Sequence, residues 1–171
     1  SNIYTIDRMS DRTLEGGISM TYGADYSLFK KKESNEILSL KLANNIRLKE
    51  NEDLPRINQM NEEVSNIFSE IIYKPNKYIT SSYLNALNNN LKDTTYENFT
   101  TEFKINKFLT TFDYLNENYA NSNNSYLTNK TSYSIDKNNS FSYSIRENKT
   151  NDLTEYYKFM YQYKNDCLSA S

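Results

Sequence analysis

Two stretches near the start of the chain alternate between apolar and polar residues. The even-numbered positions from Ile18 to Leu28 are apolar or aromatic, and the positions between them are small or polar. From Leu38 to Leu48 most of the even-numbered positions are again apolar, and polar residues lie between them. Successive side chains of a strand point to opposite faces, so each stretch predicts a strand with one apolar and one polar face. Both are longer than the roughly 5–6 residues usual for a strand.

Similar patterns recur along the rest of the chain and predict about ten strands in all. The later strands are expected at about 64–73, 78–88, 95–105, 108–116, 124–135, 140–146 and 153–163, with a tenth beginning at Cys167. Residues 61–72 also place apolar side chains at helical spacing. A strand is favoured there because β-branched residues cluster in this segment.

The predicted connections tend to alternate between long and short. Longer polar segments follow the second, fourth, sixth and eighth strands, at about 49–63, 89–94, 117–123 and 147–152. Shorter turns follow the third, fifth, seventh and ninth strands. The turn after the first strand, 30–36, belongs to the same end of the sheet but is longer than these. Short turns at one end and longer loops at the other are typical of an up-and-down barrel in an outer membrane.

These patterns predict an all-β fold, an antiparallel up-and-down meander of about ten strands. We interpret residues 1–171 as a single partial β-barrel domain, an arc of a larger transmembrane β-barrel. Both ends of the sequence are expected to be truncated, because the chain opens abruptly and stops within a strand.

The composition agrees with a barrel sheet that has one face in contact with water. Apolar residues make up 37% of the chain, charged residues 25%, and the mean hydropathy is -0.85, which is poor material for a large dry core. No segment approaches the roughly 18–20 apolar residues of a membrane helix. The net charge of -2 and the absence of a basic patch argue against a nucleic-acid partner.

The residue types needed for common catalytic chemistry are scarce. The chain has no His and one Cys, which removes the usual general base and the usual catalytic dyads and zinc sites. No Gly-rich phosphate loop is present. We therefore predict no enzyme activity, no catalytic residues, no cofactor and no metal. Cys167 is either a small buried apolar residue or a disulfide partner.

Charged residues with the polar parity are candidates for a water-filled lumen. These are Asp25, Lys41 and Arg47, since a charge at the lipid midplane would cost about 2–4 kcal/mol. The aromatic stripe of alternating residues from Tyr157 to Tyr163 has two interpretations. It is either a lipid-facing surface ending in an aromatic girdle or the buried face of a soluble sheet.

Two segments of the sequence resemble a known family. Residues 2–17 read NIYTIDRMSDRTLEGG and are followed by YGADY at 22–26, and residues 163–168 read YKNDCL. Their order and separation resemble the C-terminal part of the barrel of the LPS-assembly protein LptD family, large outer-membrane β-barrels. The matching segments cover about a fifth of the chain.

This resemblance implies a location in the cell outer membrane of a Gram-negative bacterium and a role in placing lipopolysaccharide in its outer leaflet. The implied partners are lipopolysaccharide, a plug lipoprotein inside the barrel, outer-membrane lipid, and periplasmic bridge proteins reached through a missing N-terminal domain. Late-barrel cysteines of some family members form disulfides with that domain, and Cys167 occupies such a position.

Two alternatives remain open from the sequence. One is another outer-membrane barrel, of the porin or receptor type. The other is a soluble Tyr-rich β-sheet binding module, which would need no detergent for solubility.

Overall fold

The structure of the protein, a computed structural model, describes residues 18–31, 35–52, 54, 59–119, 122–164 and 169–170. These residues form nine long strands and a tenth of two residues. The strands are β1 (Ser19–Phe29), β2 (Glu36–Arg47), β3 (Ile67–Asn76), β4 (Ile79–Leu87), β5 (Thr94–Ile105), β6 (Phe108–Tyr119), β7 (Ser122–Ser134), β8 (Asn139–Asn148), β9 (Leu153–Lys164) and β10 (Ser169–Ala170). The alternative helix over 61–72 is wrong, because residues from Ile67 onward belong to β3.

The strands form one antiparallel meander in sequence order, from β1 to β10. Each strand therefore pairs with its neighbours in the chain, which confirms the predicted all-β, up-and-down architecture of about ten strands. The sheet is not closed across the described residues. One long edge is β1, which pairs with β2. At the other edge, the described part of β10 pairs with β9 at two positions, opposite Lys164 and Tyr163.

The connections follow the predicted alternation only in part. Residues 48–66 and 88–93 form the longer connections after β2 and β4, whereas 77–78 and 106–107 form tight turns. The longer loop predicted at 117–123 is wrong, because β6 and β7 stay paired as far as Tyr119 opposite Ser122. The polar residues of this segment form strand-to-strand backbone pairs and not a loop, so the β6–β7 hairpin is longer than the neighbouring hairpins.

Asn and Asp make turns in a chain that contains three Gly. Asn106 adopts a positive φ of 52°, a conformation that Asn tolerates better than most residues. In the turn at 135–138, Oδ1 of Asp136 accepts the backbone N–H groups of Asn138 and Asn139, each at 2.8 Å. The backbone hydrogen bond from Asn138 and the side-chain hydrogen bond from Asn139 lower the pKa of the Asp136 carboxyl.

Almost no apolar core exists in the part of the chain that the structure describes, where the buried apolar side chains are Ala43, Met60 and Ala86. Backbone hydrogen bonds between the strands of a single sheet layer, and not packing of an apolar core, therefore hold most of the described structure together. At one end of the sheet, buried polar groups join β2 to the segment that leads into β3. Nδ2 of Asn44 donates to the carbonyl oxygens of Ser65 and Asn66, at 2.9 and 3.2 Å.

Asn66 extends this cluster towards β5. Its side chain is 0% exposed, and its Nδ2 donates to Oγ1 of Thr95 at 2.6 Å. The described part of the 48–66 connection also contacts the connection between β4 and β5. Asn89 donates its backbone N–H to Oε1 of Gln59 at 2.9 Å and its Nδ2 to Oε2 of Glu62 at 3.1 Å. The two longer connections are thus held to each other at the same end of the sheet.

Candidate functional site

The strand register assigns alternate residues of every long strand to one of two faces. We name them the apolar face and the polar face, after most of their side chains. The apolar face contains Met20, Tyr22, Leu40, Leu42, Ile71, Tyr73, Phe99, Phe103, Phe112, Tyr114, Tyr133, Phe141, Tyr157, Phe159 and Tyr161. The polar face contains Thr21, Asp25, Lys41, Glu70, Ser82, Thr100, Thr111, Asp113, Lys130, Ser142, Ser144, Arg146 and Lys158.

Large side chains of the apolar face are exposed. Phe159 is 73% exposed and Tyr157 is 68% exposed. Phe141, on the neighbouring strand, packs its ring against Phe159 and Tyr161 with centroid distances of 5.9 and 5.1 Å. No second layer covers this surface within the described residues. A continuous exposed apolar surface is typical of contact with lipid or with another protein.

A transverse row of polar residues interrupts the apolar face near the longer connections. Its members lie directly opposite one another on β3 to β7, and they are Ser69, Asn85, Glu97, Asn116 and Ser125. Ser69 donates to Asn85 at 2.7 Å, and Ser125 donates to Asn116 at 2.8 Å. The Glu97 carboxylate accepts Nδ2 of Asn116 at 3.3 Å and the hydroxyl of Tyr83 at 2.8 Å.

Other polar side chains of the apolar face are paired in the same way. The hydroxyls of Ser81 and Thr101 are 3.2 Å apart, and those of Thr110 and Thr131 are 2.7 Å apart. Nδ2 of Asn129 donates to Oγ1 of Thr110 at 3.0 Å. These polar groups thus pair with one another across strands, which is the requirement in a solvent that cannot hydrogen-bond.

The three residues predicted to face a lumen all lie on the polar face. Asp25 is directly opposite Lys41, and Nζ of Lys41 lies 2.9 Å from Oε2 of Glu70. Arg47 is 3% exposed, and its backbone N–H donates to the carbonyl of Glu63 at 2.7 Å. The structure therefore brings Asp25 and Lys41 together with Glu70 and places Arg47 at the far end of β2. That this face borders a lumen stays a prediction.

Apolar side chains also lie on the polar face, in β3 and β4. The register places Phe68 opposite Ala43 and Ile72 opposite Ser39, and it places Leu84 opposite Glu70. The sequence of this region does not alternate cleanly, so parity alone did not assign these residues. The polar face is therefore hydrophilic mainly at β1, β2 and β5 to β9.

A groove lies on the polar face between β6 and β9. It has a volume of about 700 Å³, and its lining includes Lys130, Ser144 and Lys158. Beside it, the guanidinium of Arg146 lies 4.1 Å from the ring centroid of Tyr126, and Nε of Arg146 is 2.9 Å from Oε2 of Glu155. Sequence reasoning missed this groove, although the alternating serines from 140 to 144 place small side chains on one face.

The described residues contain no group of three or more His, Cys, Asp or Glu side chains placed to hold a metal ion. Cys167, the candidate for a disulfide, lies outside the described residues, as do residues 2–17 of the first matching segment. A search for a helix long and apolar enough to span a membrane found none in the described ranges.

Comparisons with known proteins add no family assignment. No protein-family model matches the chain, and no curated protein matches it.

Proposed function

We propose that this chain is part of the wall of an outer-membrane β-barrel that places lipopolysaccharide in the outer leaflet. The apolar face would contact lipid, and the polar face would border the aqueous interior. The observation that carries the proposal is a single-layered sheet in which most of the exposed aromatic and aliphatic side chains share one face, while ion pairs such as Lys41–Glu70 lie on the other.

Strand length supports a membrane crossing. β1 has 11 residues, which at about 3.4 Å per residue gives a length of roughly 37 Å. A tilt of about 40° reduces its height to roughly 28 Å, which exceeds the apolar band of about 25 Å in outer-membrane barrels. The cross-strand hydrogen bonds of the apolar face also support it, because an unpaired polar group in lipid costs several kcal/mol.

Lipopolysaccharide as the cargo rests on the resemblance of residues 2–26 and 163–168 to the LptD family. In that reading the protein is a component of a translocation machine and performs no chemical reaction. Its partners would be lipopolysaccharide, a plug lipoprotein, outer-membrane lipid and periplasmic bridge proteins, and Cys167 would pair with another domain.

The face assignment is tested by spin labels in a Cys167→Ser background. Nitroxides replace Phe159 or Tyr157 on the apolar face, and Ser142 or Thr100 on the polar face, of the protein in phosphatidylcholine vesicles. We expect the apolar-face labels to collide with dissolved oxygen and the polar-face labels to collide with a water-soluble nickel chelate. Equal accessibility of both pairs to the nickel chelate would support the soluble Tyr-rich module instead.

The cargo is tested separately by photo-crosslinking in intact cells. A benzophenone side chain replaces Thr21 on the polar face, with Met20 on the apolar face as the matched position. Adducts with lipopolysaccharide from Thr21 are the expected result. A membrane-inserted protein that gives no such adduct from either face would favour a porin or receptor barrel.

A further inference from the structure

The two ends of the sheet differ in charge. Connections that follow odd-numbered strands lie together at one end, which we name the turn end, and they are 30–35, 77–78, 106–107 and 135–138. Their described residues include five lysines and one carboxylate. At the opposite end, the described residues of 48–66 and 88–93 include two lysines and five carboxylates. Positive charge is therefore concentrated at the turn end.

Three further lysines lie beside these turns. Lys74 and Lys104 come shortly before the turns 77–78 and 106–107. Lys164 ends β9, where its backbone N–H donates to the carbonyl of Asn138 at 2.8 Å. With the lysines of the connections they form what we name the lysine rim, and all of its members are exposed. The members are Lys30, Lys31, Lys74, Lys77, Lys104, Lys107, Lys137 and Lys164.

Few carboxylates balance the lysine rim within the described residues. Asp136 lies in the turn 135–138, and its lowered pKa keeps it anionic. Glu36 begins β2 and accepts a hydrogen bond from Oγ of Ser27 at 2.6 Å. Glu102 is the next along β5, four residues before the turn 106–107. Eight ammonium groups therefore lie along an edge that holds three carboxylates, so the rim attracts anions.

A row of large apolar side chains crosses the apolar face directly beside the lysine rim. It runs from β5 to β9 and consists of Ile105, Phe108, Tyr133, Phe141 and Tyr161, each directly opposite the next. All five are between 38% and 54% exposed. Lys104 and Lys107 are one residue from this row, which is about 3 Å along a strand. Exposed aromatic rings next to lysines are typical of the boundary between acyl chains and headgroups.

We propose that the turn end binds anionic phospholipids, with the lysine rim contacting their phosphate groups and the aromatic row lying at the top of their acyl chains. The headgroup region of a leaflet is roughly 5–7 Å thick, which is the depth over which the rim extends beyond the row. An acidic protein would satisfy the lysines but would leave the adjoining aromatic row unexplained. The inference rests on the membrane-spanning part of the proposed function, and it is independent of the cargo.

The lipid preference is measured with a tryptophan beside the rim. The chain contains no Trp, so Tyr133→Trp introduces a single fluorophore. The variant is placed in vesicles of phosphatidylcholine and phosphatidylglycerol in equal amounts, in which one lipid or the other carries brominated acyl chains. We expect brominated phosphatidylglycerol to quench the fluorescence more strongly than brominated phosphatidylcholine does.

Removal of rim charges should reduce this preference. Lys137→Gln combined with Lys164→Gln should lower the relative association constant for phosphatidylglycerol about fivefold or more, because each lysine near an anionic surface contributes about that factor. Molar salt should abolish the preference, since it shortens the screening length to about 3 Å.

Two controls come from the opposite end of the sheet. Lys92→Gln removes an exposed lysine from the connection 88–93 and should leave the preference within about twofold of the original. Tyr22→Trp places the fluorophore on the apolar face near that end, opposite Asn44, and should show equal quenching by the two lipids.

The outcomes separate this inference from the barrel proposal. Equal quenching of Tyr133→Trp by the two lipids, or an equal effect of Lys92→Gln, would overturn the lipid preference and leave the barrel proposal standing. No quenching by either lipid would overturn both. Binding of soluble polyglutamate that the rim variants weaken, without a lipid preference, would assign the lysine rim to an acidic protein instead.

Discussion

Ile71 and Ile72 offer a direct test of the two faces, because they are consecutive residues of the same type in the middle of β3. Ile71 lies on the apolar face, opposite Leu40 and Tyr83, and is 37% exposed. Ile72 lies on the polar face, opposite Ser39, and is half-buried. Replacing each with Lys makes the same chemical change at the same depth, so intrinsic strand propensity cancels between the two variants.

The expected difference follows from the environment of each side chain. A lysine near the midplane of a lipid-facing barrel surface costs about 2–4 kcal/mol. On the polar face, Ile72→Lys loses only part of the burial of an isoleucine, about 1 kcal/mol. Ile71→Lys should therefore lower the free energy of unfolding by about 1–3 kcal/mol more than Ile72→Lys, or roughly 5- to 150-fold in the folding equilibrium.

The assay is reversible urea unfolding of the protein in phosphatidylcholine vesicles, followed by the circular dichroism of the β-sheet. Ile71→Val and Ile72→Val serve as controls that keep each side chain apolar, and both should change stability little. If Ile71→Lys and Ile72→Lys are equally destabilising, or if Ile72→Lys is the worse of the two, the lipid-facing assignment of the apolar face is refuted.

Three further predictions concern polar groups outside this pair. Ser69→Ala should lower the free energy of unfolding by about 0.5–1.5 kcal/mol, because it removes the hydrogen bond that Ser69 donates to Asn85, and a urea midpoint unchanged from the original would contradict this. Asn66→Ala should cost about 1–3 kcal/mol, since its fully buried amide bonds to Thr95; Lys137→Ala, in an exposed turn, is the control. The lowered pKa of Asp136 contributes stability above its unfolded value near 3.8 that is lost as pH falls through the lower folded value. Asp136→Asn should therefore be less stable than the original protein at pH 7, and this deficit should shrink as the pH falls below 3.8; a deficit that does not change with pH would be inconsistent with this linkage.

The alternation along the chain was sufficient to predict the strands and most of their faces. The strand that begins near Ser19 and the one that ends at Arg47 were both predicted within about two residues. Parity alone placed Asp25, Lys41 and Arg47 on one face, as the register confirms. This worked because the direction of a side chain in a strand depends only on its own position in the chain.

Features that join strands required the tertiary structure. Ser69, Asn85 and Glu97 lie far apart in the sequence, yet the register aligns them in one row across β3, β4 and β5. The groove between Lys130 and Lys158 likewise exists only because β8 lies between their strands. The extended pairing of β6 and β7 was missed for a related reason, since polar residues form a strand when a partner satisfies their backbone groups.

The sequence by itself thus determined where the strands lie and which side chains share a face, because both follow from local periodicity. The tertiary structure decided which side chains meet across strands, because pairing register is set by contacts between residues far apart in the chain. The ion pair between Lys41 and Glu70, the polar row through Glu97 and the two-lysine groove all depend on that register.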